Sequence, residues 1–167
     1  MDSRVTEFED ALARHNGTVV RTTSESFADD LSDVVEAPAV GAPLADPLEY
    51  EGTGVETDPS VAAIEAATTG VTPCRLGIAS YGSLVVESTD GGTEPISLYA
   101  NHHVGVLRES DLLADMPSAI DRLGEAVRDD RTDNIIATGP SATADMGGLV
   151  YGAHGPERVT AMFVEGL

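Results

Sequence analysis

The run Thr138-Gly139-Pro140-Ser141-Ala142-Thr143-Ala144-Asp145 places two hydroxyls and a carboxylate behind a glycine and a proline. It follows the apolar stretch Asn134-Ile135-Ile136-Ala137. Glycine lets the backbone approach a ligand and proline fixes the chain, so Ser141 and Thr143 stand beside backbone N–H groups. A loop of this kind at the end of a strand cradles phosphate or carboxylate. The same residues also read as the start of a helix, with a Ser or Thr cap and Asp145 in its first turn. A few residues on, Gly152-Ala153-His154-Gly155-Pro156 sets an imidazole between glycines. Histidine is the side chain that changes charge nearest neutral pH. His154 reads either as open to a ligand or as part of a surface turn bonded to its own backbone. His102 and His103 open a third apolar run, and adjacent strand residues face opposite ways, so the two cannot line one pocket. Glu87 ends Ser83-Leu84-Val85-Val86 and is either a solvent-facing position or a buried acid. The acid–base candidates are therefore Asp145, His154 and Glu87. The ligand-binding candidates are Gly139, Pro140, Ser141, Thr143, His103 and Gly155.

Other chemistries find less support. No Gly-x-Gly-x-x-Gly follows a strand, and the 138–145 run lacks the Gly-Lys pair of a phosphate-binding P-loop. Gly77-Ile78-Ala79-Ser80-Tyr81-Gly82 echoes a nucleophile elbow, but a further strand follows it where an elbow needs a helix. Histidines at metal-ligand spacing are absent, so no metal site and no cofactor are expected. The one cysteine, Cys74, cannot form an internal disulfide and reads as a small residue near a strand start.

The elements that must position these residues follow from periodicity. Val5, Phe8 and Leu12 recur at helical spacing before His15-Asn16-Gly17, giving an N-terminal helix within 1–17 that could be peripheral. A strand at 18–21 leads to a helix capped at Thr23 or Ser24 with Phe27, Leu31, Val34 and Val35 on one face. Prolines 38, 43 and 47 hold an open stretch with room for one short strand near 39–42. An Ala-rich helix follows Asp58-Pro59 and is closed by Gly70. Strands are expected at 75–80, 83–88, 95–99, 102–107, 133–138 and 159–164. A helix over 110–128 is split near Pro117. Alternating helices and strands in one chain of this length imply a single α/β domain over 1–167.

Composition narrows the partners. The 167 residues carry 29 acidic and nine basic side chains, a formal net charge of −20, and every basic residue is arginine. Apolar residues make up 41% and are interspersed with the acidic ones, so charge-driven disorder is not expected. Nucleic acid and anionic membrane surfaces are unsuitable partners, because both are bound by clustered cations. Self-repulsion at −20 is screened in molar salt, where the Debye length is about 3 Å. A lysine-free, acidic chain with 4% aromatics resembles proteins of salt-accumulating archaea. No run of 18 apolar residues is present and Met1-Asp2-Ser3-Arg4 begins no signal peptide, so the expected location is the cytoplasm.

Taken together, residues 78–88, His103-Val104-Gly105-Val106, the 138–145 run and Gly152–Pro156 stand in an order that resembles the LUD-domain family, in its lactate-utilisation protein C group. The resemblance is strong over the last ninety or so residues and in outline before them. It implies an open-sheet α/β fold of the ribose-phosphate isomerase and CoA-transferase-like (NagB/RpiA-like) type. It also implies a non-redox part in a multi-protein system oxidising L-lactate to pyruvate, whose companion proteins carry iron–sulfur clusters. By position, Gly139, Pro140, Ser141, Thr143 and Asp145 match the family's GPS-x-T-x-D loop. His154, Gly155 and Pro156 match its HGP motif, and His103 matches the histidine of its central strand. Two departures stand out. Ser80-Tyr81 replaces an acidic residue and threonine before Gly82, and Ala100-Asn101 replaces a Pro-Pro before the histidine strand. Three functions remain open: a subunit binding a small anion or assembling the complex, an enzyme of the isomerase/CoA-transferase-like class acting on a phosphorylated or thioester substrate, and a carboxylate-sensing binding protein.

Overall fold

The computed structural model describes residues 3–130, 132–145, 148–152 and 154–167. In chain order the elements are α1 (Ser3–Arg14), β1 (Thr18–Thr23), α2 (Phe27–Val34), β2 (Ala39–Gly41), β3 (Val55–Thr57), α3 (Val61–Ala66), β4 (Thr69–Pro73), β5 (Leu76–Ile78), β6 (Ser83–Glu87), α4 (Thr93–Tyr99), β7 (His102–Arg108), β8 (Leu112–Leu113), α5 (Met116–Asp130), β9 (Asn134–Ala137), β10 (Ala142–Asp145), β11 (Gly148–Tyr151) and β12 (Arg158–Glu165). Six strands form a main sheet in the order β1-β12-β7-β4-β2-β3, and every pairing in it is parallel. A second sheet, β8-β5-β6-β9, is mixed, and β10 with β11 forms a separate hairpin.

Burial on both faces explains why the central strands read as unbroken apolar runs. On one face Leu107, Val159, Ala161 and Phe163 pack against Phe8 and Leu12 of α1 and against Leu84 and Val86 of β6. On the other face Val71, Val104, Val106 and Met162 meet Phe27 and Leu31 of α2. The outer side of the second sheet (Leu76, Ile78, Val85) is covered by Ala119 and Leu123 of α5. Thus α2 covers one face of the parallel sheet, α1 and the small sheet cover the other, and α5 closes the outer side of the small sheet.

Five sequence expectations change, and the first is the cap of α2, which begins at Phe27 with Ser26 at its N-cap, while Thr23 ends β1. The N-terminal helix is not peripheral: Val5, Phe8, Ala11 and Leu12 are buried between the two sheets. Arg21 grips Glu9 of that helix through two hydrogen bonds of 2.6 and 2.7 Å, which holds the Glu9 carboxyl below its ordinary pKa. Residues 95–99 form a helix, α4, in place of the expected strand. Pro95 sits in its first turn, where a missing N–H is no loss, and Ser97 Oγ donates to the Glu94 carbonyl (2.7 Å). The Ala-rich helix stops at Ala66, so Gly70 is a strand residue of β4 and not a helix stop. A side chain there would come within 2.4 Å of the Ile96 carbonyl oxygen, and glycine is what lets α4 lie this close to the sheet. Finally, 142–145 is no loop or helix start: it pairs with 148–151 as an antiparallel hairpin.

Candidate functional site

His103 is the second residue of β7, and its ring is buried against the face of the main sheet that the small sheet covers. Its Nε2 lies 2.8 Å from the hydroxyl of Thr72 on neighbouring β4. Burial, helped by the adjacent His102, lowers its pKa to about 4, so the ring is neutral at neutral pH. It can therefore donate or accept a hydrogen bond, but it supplies no positive charge. His102 turns the other way, as strand alternation requires. Its Nε2 meets Thr160 Oγ1 (2.8 Å), which in turn meets Thr18 Oγ1 (2.9 Å). Its pKa also falls to about 4, chiefly through burial.

Above His103 the two loop motifs close on each other. The Ser141 amide donates to the Pro156 carbonyl (2.8 Å), and the Gly152 amide donates to the Ser141 carbonyl (2.8 Å). A side chain on Gly155 would press on Ser141 Cβ at 3.2 Å, so the glycine permits this contact. Ser83 Oγ and Thr138 Oγ1 are 2.6 Å apart and fasten the start of the loop to β6. Gly139 has φ +68°, and its Cα lies so near the end of α1 that a Cβ would be 2.6 Å from the His15 carbonyl oxygen. The N-terminal helix thus supports the loop from behind.

Between floor and loops lies a cavity of about 310 Å³. His103, Gly139, Pro140, Ser141, His154 and Gly155 all line it, together with apolar groups such as Val86, Leu98, Ile135 and Val159. His154 is exposed at this site. Of the remaining candidates, Glu87 is not among the lining residues and forms an ion pair with Arg75 (2.6 Å). The side chains of Thr143 and Asp145 lie outside the described residues, although their backbone belongs to β10. Ser80 sits in a single 3-10 turn over Ala79–Tyr81, its buried Oγ without a hydrogen-bond partner among the described residues. Thr72 and the α4 residues Ser97 and Leu98 were not singled out in the sequence. The run Val71-Thr72-Pro73 after Gly70 is the signal that could have revealed the first, and the Gly92-Thr93-Glu94-Pro95 helix start the others.

Two features of this geometry differ from expectation. The Ser141 amide is already occupied, so the loop does not present an open row of N–H donors. The cavity also sits where β7 and β12 begin, at the amino edge of the main sheet, whereas ligands of open α/β sheets usually sit at the carboxyl edge. Among the described residues lining it there is no arginine. Anion recognition here would rest on hydroxyl and imidazole donors in an apolar, loop-covered space. No group of three metal-ligating side chains occurs among the described residues.

An open parallel sheet backed by a small mixed sheet, with loops closing a cavity at one edge, makes this an open-sheet α/β protein. The crystal structure of a DUF162 family protein from Deinococcus radiodurans has the same fold, with a TM-score of 0.75 over 96% of both chains at 19% identity. The LUD domain model matches residues 61–164, and the chain belongs to the LUD domain family. Lactate utilization protein C of Deinococcus radiodurans is 24% identical over 166 residues, 95% of this chain and 78% of that protein. The Macrococcus caseolyticus protein of the same name is 24% identical over 88% of this chain and 71% of its own. That of Shouchella clausii is 28% identical, and this chain covers 48% of its length. No described helix is long and apolar enough to cross a membrane.

Proposed function

We propose that this protein is a non-redox component of a lactate-utilisation system and that it holds a small anionic ligand in the cavity between His103 and the 138–142 loop. The observation that carries the reading is the meeting of both loop motifs and the strand histidine around one cavity within a LUD domain. Relatives named lactate utilization protein C supply the setting. The lining supports a small carboxylate better than a phosphorylated substrate: it offers Ser141, His154 and a neutral His103 beside apolar walls, and no guanidinium among the described residues. Electron transfer would belong to companion proteins bearing iron–sulfur clusters, since one cysteine cannot ligate such a cluster alone and burial pushes the Cys74 thiol up to about 12. The acidic, lysine-free surface fits work in a salt-rich cytoplasm.

The test is calorimetry of the purified chain in molar salt with lactate, pyruvate and a sugar phosphate, paired with a dye-reduction assay. Binding of lactate or pyruvate that weakens at least tenfold in His154→Ala and Ser141→Ala, with no lactate-dependent dye reduction by the chain alone, is the expected result. Preference for the sugar phosphate, or turnover by the isolated chain, would replace this reading with that of a stand-alone enzyme.

A further inference from the structure

β7 carries a second cavity at its other end. It measures about 200 Å³ and lies where β4 and β7 finish, lined by Cys74, Arg75, Val106, Arg108, Asp111 and, from the loop after β2, Leu48 among others. This is the carboxyl edge of the parallel sheet, where open α/β folds place ligands. Its charges are unevenly matched. Arg75 is held by Glu87 at 2.6 Å, and Asp111 lies 3.7 Å from Arg122. Arg108 has no carboxylate within ion-pair distance among the described residues, in a chain with 29 acidic side chains. Its Nη2 donates to the carbonyls of Ala45 (3.0 Å) and Asp46 (2.8 Å), which anchors the guanidinium to the loop. Nε and Nη1 have no protein partner among the described residues.

We infer that this cavity is a second anion site, and that its ligand is a short-chain monocarboxylate paired with the Arg108 guanidinium through an N–H group that the loop carbonyls leave open. A guanidinium N–H donating to a carboxylate makes a charge-assisted hydrogen bond, and the two carbonyls on Nη2 already fix the orientation of the group. Val106, Leu48 and the neutral Cys74 thiol suit a hydrocarbon stem. The Asp111 carboxylate in the same wall opposes a dianion such as phosphate. The site is independent of the amino-edge cavity, since none of its lining residues is shared.

Two measurements decide it, with potassium propionate as probe and inorganic phosphate as competitor. In the first, phenylglyoxal modification is mapped by mass spectrometry. Propionate at ten times its Kd slows modification of Arg108 about tenfold and leaves the exposed Arg14 and Arg128 unaffected. In the second, the sole cysteine is labelled with carbon-13 at Cβ, and its resonance shifts on adding propionate. Arg108→Gln loses that shift. Should Gln loosen the loop, Arg108→Lys keeps the charge and a donor for the Ala45 and Asp46 carbonyls yet binds at least tenfold more weakly, with an unchanged melting temperature. Equal slowing at all three arginines, stronger protection by phosphate, or full binding by Arg108→Lys would each overturn the assignment.

Discussion

The two ends of β7 treat the same electrostatic problem in different ways. At the amino edge His103 is buried and neutral, and the cavity around it is roofed by loops fastened through backbone hydrogen bonds and close glycine contacts. At the carboxyl edge the Arg108 guanidinium, with no ion-pair partner among the described residues, faces the cavity and is held in place by two carbonyls. Polarity at one end comes from shape, and at the other from charge. In a chain of net charge −20 this matters, because an anion approaching either end crosses a repulsive surface. The amino edge is consequently the end that backbone geometry should break, and the carboxyl edge the end that one side chain should break.

The largest effect is expected from Gly139→Ala. The new Cβ would sit 2.6 Å from the His15 carbonyl oxygen at φ +68°, combining a strained backbone with an overlap against backbone. A loss of about 4 kcal/mol in chemical denaturation is expected, along with loss of lactate binding at the amino edge. The propionate-induced shift of Cys74 should survive in the fraction that remains folded. Parallel loss at both ends would mean that the two sites form one cooperative unit.

Acidification comes next. Above pH 6.5 His103 is neutral in the folded and the unfolded chain. Between 6.5 and about 4 only the unfolded chain takes up the proton, so stability falls as pH drops through that window. His103 alone should remove about 2 kcal/mol by pH 5, and His102 acts in the same direction. Denaturant titrations from pH 7.5 to 5 would check this. A flat profile would show that the two imidazoles are not buried as neutral rings. Thr72→Val is smaller again: it keeps the shape of the floor and leaves Nε2 of His103 without its partner, costing about 2 kcal/mol. Thr72→Ser should restore the loss. A Val variant as stable as the parent would show that the hydroxyl does not position the ring.

What the sequence revealed of each end follows the same division. The loop residues of the amino edge were legible because Gly139, Pro140, Gly152, Gly155 and Pro156 are conformational markers that stand out locally. Alternation along β7 separated His103 from His102. The floor was less legible. Thr72 lies on β4, whose Gly70 reads as a helix stop until α4 is seen crossing it, and a strand buried on both faces has no alternating pattern to betray it. Ser97 and Leu98 were hidden because Pro95-Ile96-Ser97-Leu98-Tyr99 is rich in strand-forming residues, while its helical state is set by packing of Ile96 and Ala100 against Val40 and Ala42. Arg108 was not singled out at all. Its significance comes from the lack of a counter-charge among the described residues, and that is a property of three-dimensional neighbours.

The smallest effect is expected where surface charge touches the amino edge. Arg158 and Glu36 pair at 2.8 Å, with about half of each side chain exposed, and Arg158 stands opposite His102 in the sheet register. Burial lowers the His102 pKa first, Arg158 lowers it further, and Glu36 raises it in part. Arg158→Gln should therefore move the His102 titration upward while leaving it well below 6.5, and thermal stability should hardly change, because exposed pairs contribute little. Imidazole resonances followed across the same pH range would report it. If His102 instead returned to an ordinary value, or the variant lost much of its stability, the amino edge would be held by charge after all. Its contrast with the arginine-built carboxyl edge would then disappear, because both ends of β7 would owe their polarity to a guanidinium.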